Sequence, residues 1–168
     1  QLINIPVHLG LDHLPNIYCG VAVFVLLPLY IMCSKVNAPE KIGKCVILLI
    51  FLTAFNLNIP NYIWHGMHFP NSLPCRQSFI YIFFLLAMCY EAVINLKNST
   101  NRQLGASLWI AIGLLLIMEE LFINSETEYS FKSVYISGIF ILIYGLLMFI
   151  HNNAKFKIPV VLMLTFSV

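Results

Sequence analysis

The stretch VYISGIFILIYGLLMFI at Val134–Ile150 has no charged side chain and is apolar at almost every position. Such a run is typical of a helix that crosses a lipid bilayer, which needs about 20 mostly apolar residues. The rest of the chain has the same character, with 60% hydrophobic and 10% charged residues among 168. A soluble domain carries about 25% charged residues. The sequence therefore predicts an integral membrane protein.

Four more apolar runs approach the length of a membrane-spanning helix, and a sixth run is short. They are Tyr18–Cys33, Cys45–Asn58, Phe79–Leu96, Leu104–Ile123 and the short Ile158–Val168. The fold class that we predict is all-α: a polytopic transmembrane helix bundle over residues 18–168, with five spans and a truncated sixth. Because the first residue is not methionine and the last run has only 11 residues, we expect a fragment truncated at both ends. Residues 1–17 are then the remnant of an extracytoplasmic loop.

Basic residues alternate between the connections that join these runs. Seven of the nine Lys and Arg residues lie in the first, third and fifth connections: Lys35, Lys41, Lys44, Lys97, Arg102, Lys155 and Lys157. The second and fourth connections hold only Arg76 and Lys132. Since basic residues concentrate in cytoplasmic loops, we expect the start of the chain and residues 59–78 and 124–133 to face outward. The basic residues are scattered and the net charge is +2, which does not indicate nucleic acid as a partner.

The second connection is polar and rich in proline. Asn58–Phe79 reads NIPNYIWHGMHFPNSLPCRQSF, with two histidines, three prolines and one arginine. Asn56, Asn58 and Pro60 predict that the preceding helix ends here and that residues 59–78 form an outer re-entrant or loop segment. Irregular backbone at membrane depth persists only beside protein or water. So many hydrogen-bonding side chains beside a bilayer indicate a site of chemistry or ligand recognition.

Five side chains of this segment are candidate ligand-binding groups. The guanidinium of Arg76 suits a phosphate or pyrophosphate, which it binds through two parallel hydrogen bonds; the alternative is an arginine that reaches the lipid headgroups. His65 and His68 are three residues apart, but a zinc site needs three or four ligands, so we expect no metal. Hydrogen bonding to a sugar or to the loop backbone is the favoured interpretation for this pair. Asn61 and Asn71 add amide groups to the same segment.

Carboxylates elsewhere leave two alternatives open. Glu119 and Glu120 lie close to the outer end of the fourth run, where they mark either a substrate pathway or a pair at the lipid headgroups. Asp12 precedes the first run on the outer side, and a single loop aspartate is weak evidence for a catalytic base.

Three pieces of the sequence share a recognisable order and spacing. They are LPNIYCG at 14–20, FNLN at 55–58, and IWHGMHFPN at 63–71 followed by LPCRQSF at 73–79. These pieces resemble segments of the YfhO family of bacterial multi-spanning membrane proteins, in which the last piece typically reads LPYRFSF. Cys75 and Gln77 stand where the family usually has tyrosine and phenylalanine, whereas Arg76 and the HGxHFPN core are kept. Beyond residue 79 only the hydropathy pattern agrees.

The resemblance implies an enzyme. The family looks like GT-C-fold glycosyltransferases, which move a sugar from a polyprenyl-phosphate carrier to cell-surface polymers such as teichoic acids, outside the bacterial cytoplasmic membrane. Arg76 would then bind the donor phosphate, and His65, His68, Asn61 and Asn71 would line the sugar or acceptor cleft. No cofactor is implied besides the lipid-linked donor, and the partners are membrane lipid, that donor and the polymer. The catalytic acidic residue of such enzymes typically lies in the first outer loop, which we expect upstream of this fragment.

Two other classes of function use the same features. A transporter or flippase of a lipid-linked saccharide would use the polar outer segment and Glu119 and Glu120 without making a bond. A non-catalytic scaffold for envelope assembly would need neither sugar transfer nor transport.

Overall fold

Helices account for most of the chain. The computed structural model describes residues 17–64, 66–67, 77–123 and 131–153. The six α-helices in these ranges are α1 (Val23–Met32), α2 (Ala38–Asn56), α3 (Asn58–Trp64), α4 (Ser78–Ile94), α5 (Asn101–Ile123) and α6 (Phe131–Asn153). No strand occurs within the described ranges. The predicted all-α class is confirmed.

Of the helices that the structure describes, two have the length and composition of a membrane span. They contain the apolar stretches Asn101–Glu120 in α5 and Ser133–Asn153 in α6. The apolar helices α1 and α4 are shorter. The predicted sixth run and residues 1–16 of the predicted loop remnant lie outside the described residues.

Helix α2 begins seven residues before the apolar run that predicts it. Pro39 lies in its first turn, where the missing N–H of proline breaks no hydrogen bond and its fixed φ suits a helix. Glu40 also lies in the first turn, where a carboxylate interacts favourably with the helix dipole. Its Oε1 is 2.7 Å from Nζ of Lys44, one turn later. The polar residues ahead of the apolar run therefore extend the helix.

The chain divides into two compact units. Among the described residues, one unit contains 20–35 and 88–153, which is α1, the end of α4, α5 and α6; we call it the three-helix unit. The other contains 17–19 and 36–87, which is α2, α3 and the beginning of α4; we call it the aromatic unit.

Helices α1, α5 and α6 contact one another in the three-helix unit. Small residues permit this packing: Ser107 and Ala111 on α5 and Ser137 on α6 are completely buried. The Ser107 hydroxyl donates to the Leu104 carbonyl at 2.8 Å, and the Ser137 hydroxyl donates within its own helix in the same way. Both of these serine hydroxyls are thus satisfied by their own helix, which lowers the cost of burying them.

A network of side-chain amides joins the first turn of α5 to the ends of α1 and α6. The Thr100 N–H donates to Gln103 Oε1 at 2.8 Å, and the Gln103 N–H donates to Thr100 Oγ1 at 3.3 Å. This reciprocal pair is a capping box. Gln103 Nε2 also donates to the Met32 carbonyl at 2.8 Å. Asn152 Nδ2 donates to Ser99 O at 3.2 Å and to Oδ1 of Asn101 at 2.9 Å.

Candidate functional site

The polar segment follows a break between two helices of the aromatic unit. Helix α2 ends at Asn56, and Leu57 has the extended dihedrals φ −114° and ψ 135°. The seven-residue helix α3 then carries the chain to Trp64. Residues 59–64, which the sequence assigns to the outer loop or re-entrant segment, are therefore helical.

A left-handed turn ends α3. The Gly66 N–H donates to Ile63 O at 3.1 Å, and the Met67 N–H donates to Tyr62 O at 3.0 Å. This pair of bonds is the Schellman motif, in which glycine commonly supplies the positive φ. Gly66 has φ 67°, and Met67 also has a positive φ of 61°. A side chain in this conformation costs roughly 1–2 kcal/mol, so the turn stores strain beside the candidate site.

Four aromatic rings from α2, α3 and α4 form one cluster. Phe51 is the central ring and is only 2% exposed. Its centroid lies 4.8 Å from that of Trp64 with 24° between the planes, and 6.4 Å from those of Phe55 and Tyr81. Phe55 and Tyr81 meet edge to face at 5.5 Å. Such offset and edge contacts are the favoured geometries of aromatic pairs.

The described residues on either side of residues 65–76 pack on the same ring. Trp64 immediately precedes residue 65, and Tyr81 follows residue 76 in the first turn of α4. Both rings pack on Phe51. Gln77, which begins this turn, is buried, and its carbonyl accepts the N–H groups of Ile80 and Tyr81. The described residues on either side of this stretch, Trp64 and Tyr81, thus pack on one ring.

The assignment of the five candidate side chains to a ligand-binding site remains a prediction. The backbone of Asn61 lies in α3, between the helix break and Trp64. The side chain of Asn61 and the residues His65, His68, Asn71 and Arg76 lie outside the described residues. The structure therefore describes the helices on either side of these groups, but not how the groups meet.

The other polar candidates belong to different parts of the chain. Glu119 and Glu120 lie near the end of α5, in the three-helix unit, with Glu119 half-buried and Glu120 exposed. Asp12 lies outside the described residues. Among the described residues no three His, Cys, Asp or Glu side chains are grouped to hold a metal ion. The histidine pair lies outside that search, so its predicted lack of metal remains untested.

Comparison with known proteins decides the family. Residues 6–168 match the family described as bacterial membrane protein YfhO. The chain belongs to the YfhO family. The match includes α4 to α6, beyond the motifs at residues 14–79 from which the resemblance was inferred. No curated protein and no solved structure matches the chain.

In this YfhO chain, the aromatic cluster beside the candidate site is the feature that the sequence did not predict. Phe51 and Phe55 are four residues apart in α2, a spacing that places both on one helix face. Tyr81 lies 26 positions beyond Phe55, and only the fold brings the two rings together. Together with the candidate spans in α5 and α6, membership of the YfhO family establishes a membrane protein.

Proposed function

We propose that this YfhO-family protein is a glycosyltransferase that moves a sugar from a lipid-phosphate carrier to a cell-envelope polymer of the teichoic-acid type. The observation that carries the proposal is the convergence of Trp64 and Tyr81 on Phe51. This convergence supports a polar segment with fixed ends, as expected of loops that recognise a ligand on a rigid scaffold. Family membership supports the membrane setting of such a reaction.

The proposed roles follow the chemistry of each side chain. Arg76 binds the donor phosphate, because its planar guanidinium matches phosphate oxygens. His65, His68, Asn61 and Asn71 line the sugar or acceptor cleft and hydrogen-bond hydroxyl groups. The proposed reaction uses no metal and no cofactor beyond the lipid-linked donor.

The proposed topology is a multi-pass protein of the bacterial cytoplasmic membrane, with the polar segment outside. The distribution of basic residues, seven against two between alternate connections, supports this orientation. A cysteine placed at Asn71, after removal of the native cysteines, should react with a membrane-impermeant thiol reagent in intact cells. A cysteine at Asn98, in the turn before α5, should react only after the cells are opened. The reverse labelling pattern would place the polar segment inside and overturn the proposal.

The decisive test of function is Arg76→Ala in the full-length protein in lipid nanodiscs, with a synthetic polyprenyl-phosphate sugar as donor and a teichoic-acid-type polymer as acceptor. Loss of a charged hydrogen-bond partner costs about 1.5–3 kcal/mol, so we expect transfer to fall roughly tenfold to over a hundredfold. Arg76→Lys keeps the charge without the planar fork and should restore transfer only in part.

Arg102 provides a matched control, since it is the only other arginine of the chain and is exposed in the first turn of α5. Arg102→Ala should transfer the sugar at the parent rate. Equal rates of sugar transfer by Arg76→Ala and the parent would show that Arg76 contacts only lipid headgroups. In closed proteoliposomes, movement of the donor across the bilayer by the parent, without transfer, would identify a flippase instead.

The histidine pair has its own test. Gln and Asn keep a donor and an acceptor, so His65→Gln and His68→Asn should reduce transfer less than the Ala variants, and chelators should have no effect. If the pair binds a metal, Gln and Ala variants should be equally impaired, and zinc or manganese should restore activity after chelation.

A further inference from the structure

The apolar part of α2 is too short to cross a bilayer. Lys44 is the last charged residue of this helix, which ends at Asn56, 12 positions later. At about 1.5 Å per residue this length is about 18 Å, whereas the hydrocarbon of a bilayer is about 30 Å thick. Charged side chains are costly in hydrocarbon, so Lys44 belongs at the headgroups. The end of α2 then lies inside the hydrocarbon, about 12 Å short of the opposite headgroups.

Helix α3 does not continue the path of α2 across the bilayer. Trp64 lies 13 positions after Phe51, and a continuous helix would separate two residues at this spacing by about 20 Å. Their ring centroids are instead 4.8 Å apart, and α3 contacts α2. The break at Leu57 therefore turns the chain back towards α2, and we call α2 and α3 together the α2–α3 hairpin.

Large apolar side chains are exposed at the turn of the α2–α3 hairpin and along α3. Leu57 is 56% exposed, Ile59 is 75% exposed and Ile63 is 60% exposed. Ile59 and Ile63 are four residues apart, a spacing that places them on one face of a helix. Three exposed apolar side chains so close together are unfavourable in water, whereas hydrocarbon accommodates them. Their exposure agrees with the depth that the length of α2 gives to its end.

Polar groups beside the break are satisfied within α2. The Thr53 hydroxyl donates to Ile50 O at 2.8 Å, and Asn56 Nδ2 donates to Leu52 O at 2.7 Å. The Leu57 N–H donates to Thr53 O at 2.8 Å. Hydrocarbon offers no hydrogen-bond partner, so a donor at that depth needs one within the protein. These three donors meet that requirement although Thr53, Asn56 and Leu57 are exposed.

We propose that the turn of the α2–α3 hairpin lies within the hydrocarbon of the bilayer, where Leu57, Ile59 and Ile63 contact lipid acyl chains. Helix α2 is then not a complete span. It is not one of the two described helices that have the length and composition of a span. The depth follows from the distance to Lys44, so it does not depend on which side of the membrane Lys44 faces or on whether the protein transfers a sugar.

Spin labels on the full-length protein in liposomes measure this depth. One cysteine at a time replaces Leu57, Ile59 or Ile63, after removal of the native cysteines, and carries the label. The measurement compares the collision rate of the label with oxygen, which concentrates in hydrocarbon, and with a water-soluble nickel chelate. At all three positions the rate with oxygen should exceed the rate with the chelate several-fold, because the labels lie among acyl chains.

Two exposed positions calibrate the measurement. Leu49 lies in the apolar part of α2 and is 59% exposed, so its label should give the ratio expected in hydrocarbon. Asn98 is exposed in the turn before α5, and its label should collide mainly with the chelate. A helix that turns back keeps Ile63 at least as deep as Ile59. The ratio of oxygen to chelate collisions at Ile63 should therefore be no lower than the ratio at Ile59.

Three results would overturn the proposal. Ratios at Ile59 and Ile63 that match the ratio at Asn98 would place α3 in water. A ratio that falls steadily from Leu57 to Ile63 would mean that α3 rises to the membrane surface instead of turning back. Low collision rates with both reagents would mean that protein, such as a second copy of the chain, covers these residues in place of lipid.

Discussion

The three-helix unit and the aromatic unit hold their helices together by different contacts. In the three-helix unit, α1, α5 and α6 pack through small buried residues, and amide side chains join the helix ends. In the aromatic unit, α2, α3 and α4 meet at four rings centred on Phe51. The first arrangement distributes the contacts over three helices, whereas the second concentrates them at one residue beside the polar segment. The proposed ligand-recognition segment belongs to the aromatic unit.

The largest expected effect is that of Phe51→Ala. Removal of a buried phenylalanine typically costs about 3–5 kcal/mol, and here it also removes the ring on which Trp64 and Tyr81 pack. We expect a loss of that size in the free energy of unfolding, measured by SDS titration in mixed micelles. Phe83→Ala is the control, since Phe83 lies in α4 of the same unit and is 67% exposed. A similar loss in both variants would show that Phe51 is not the central residue of the aromatic cluster.

The next effect tests the amide network of the three-helix unit. Gln103→Met removes the cap of α5 and the bond to the Met32 carbonyl, and should cost about 2 kcal/mol. Gln103→Glu keeps the acceptor for the Thr100 N–H but loses the donor to Met32, and should cost about 1 kcal/mol. The same unfolding titration measures both. If Gln103→Glu is as stable as the parent, the bond to Met32 contributes nothing.

A smaller effect is expected where α5 and α6 approach closely. A Cβ added at Gly145 would lie 2.6 and 2.7 Å from the two methyl carbons of Leu108. Gly145→Ala should therefore cost about 1 kcal/mol by overpacking, and Leu108→Ala in the same protein should remove that penalty. Gly138→Ala, on the same helix with nothing within 4 Å, should be neutral or stabilising. Equal effects at the two glycines would mean that the helix contact does not depend on Gly145.

The smallest effect belongs to the surface ion pair at the start of α2. Lys44 Nζ lies 2.7 Å from Glu40 Oε1, and exposed pairs at this spacing contribute about 0.3–0.5 kcal/mol. Glu40→Gln should lower stability by no more than this, and the difference should vanish at high salt. A salt-independent loss would indicate a helix-capping or packing role for Glu40.

The helices were predictable to different degrees. Long apolar runs predict α5 and α6 almost to their observed ends, because length and composition alone indicate a membrane span. Helix α1 is shorter than its apolar run, since Gly20 has φ 90° and turns precede Val23. Helix α2 is longer than its run, because Pro39 and Glu40 begin a helix without being apolar. The end of α2 near Asn56 was predictable from the polar residues and proline that follow it.

For the candidate site, the sequence by itself determined the kind of protein and the polar segment, through composition and the motif shared with the YfhO family. Both depend only on which residues are present and in what order. The tertiary structure alone decided that Phe51 contacts both Trp64 and Tyr81, 13 and 30 positions away. No periodicity within one helix relates rings on three helices, because their contact depends on how the chain folds back between them.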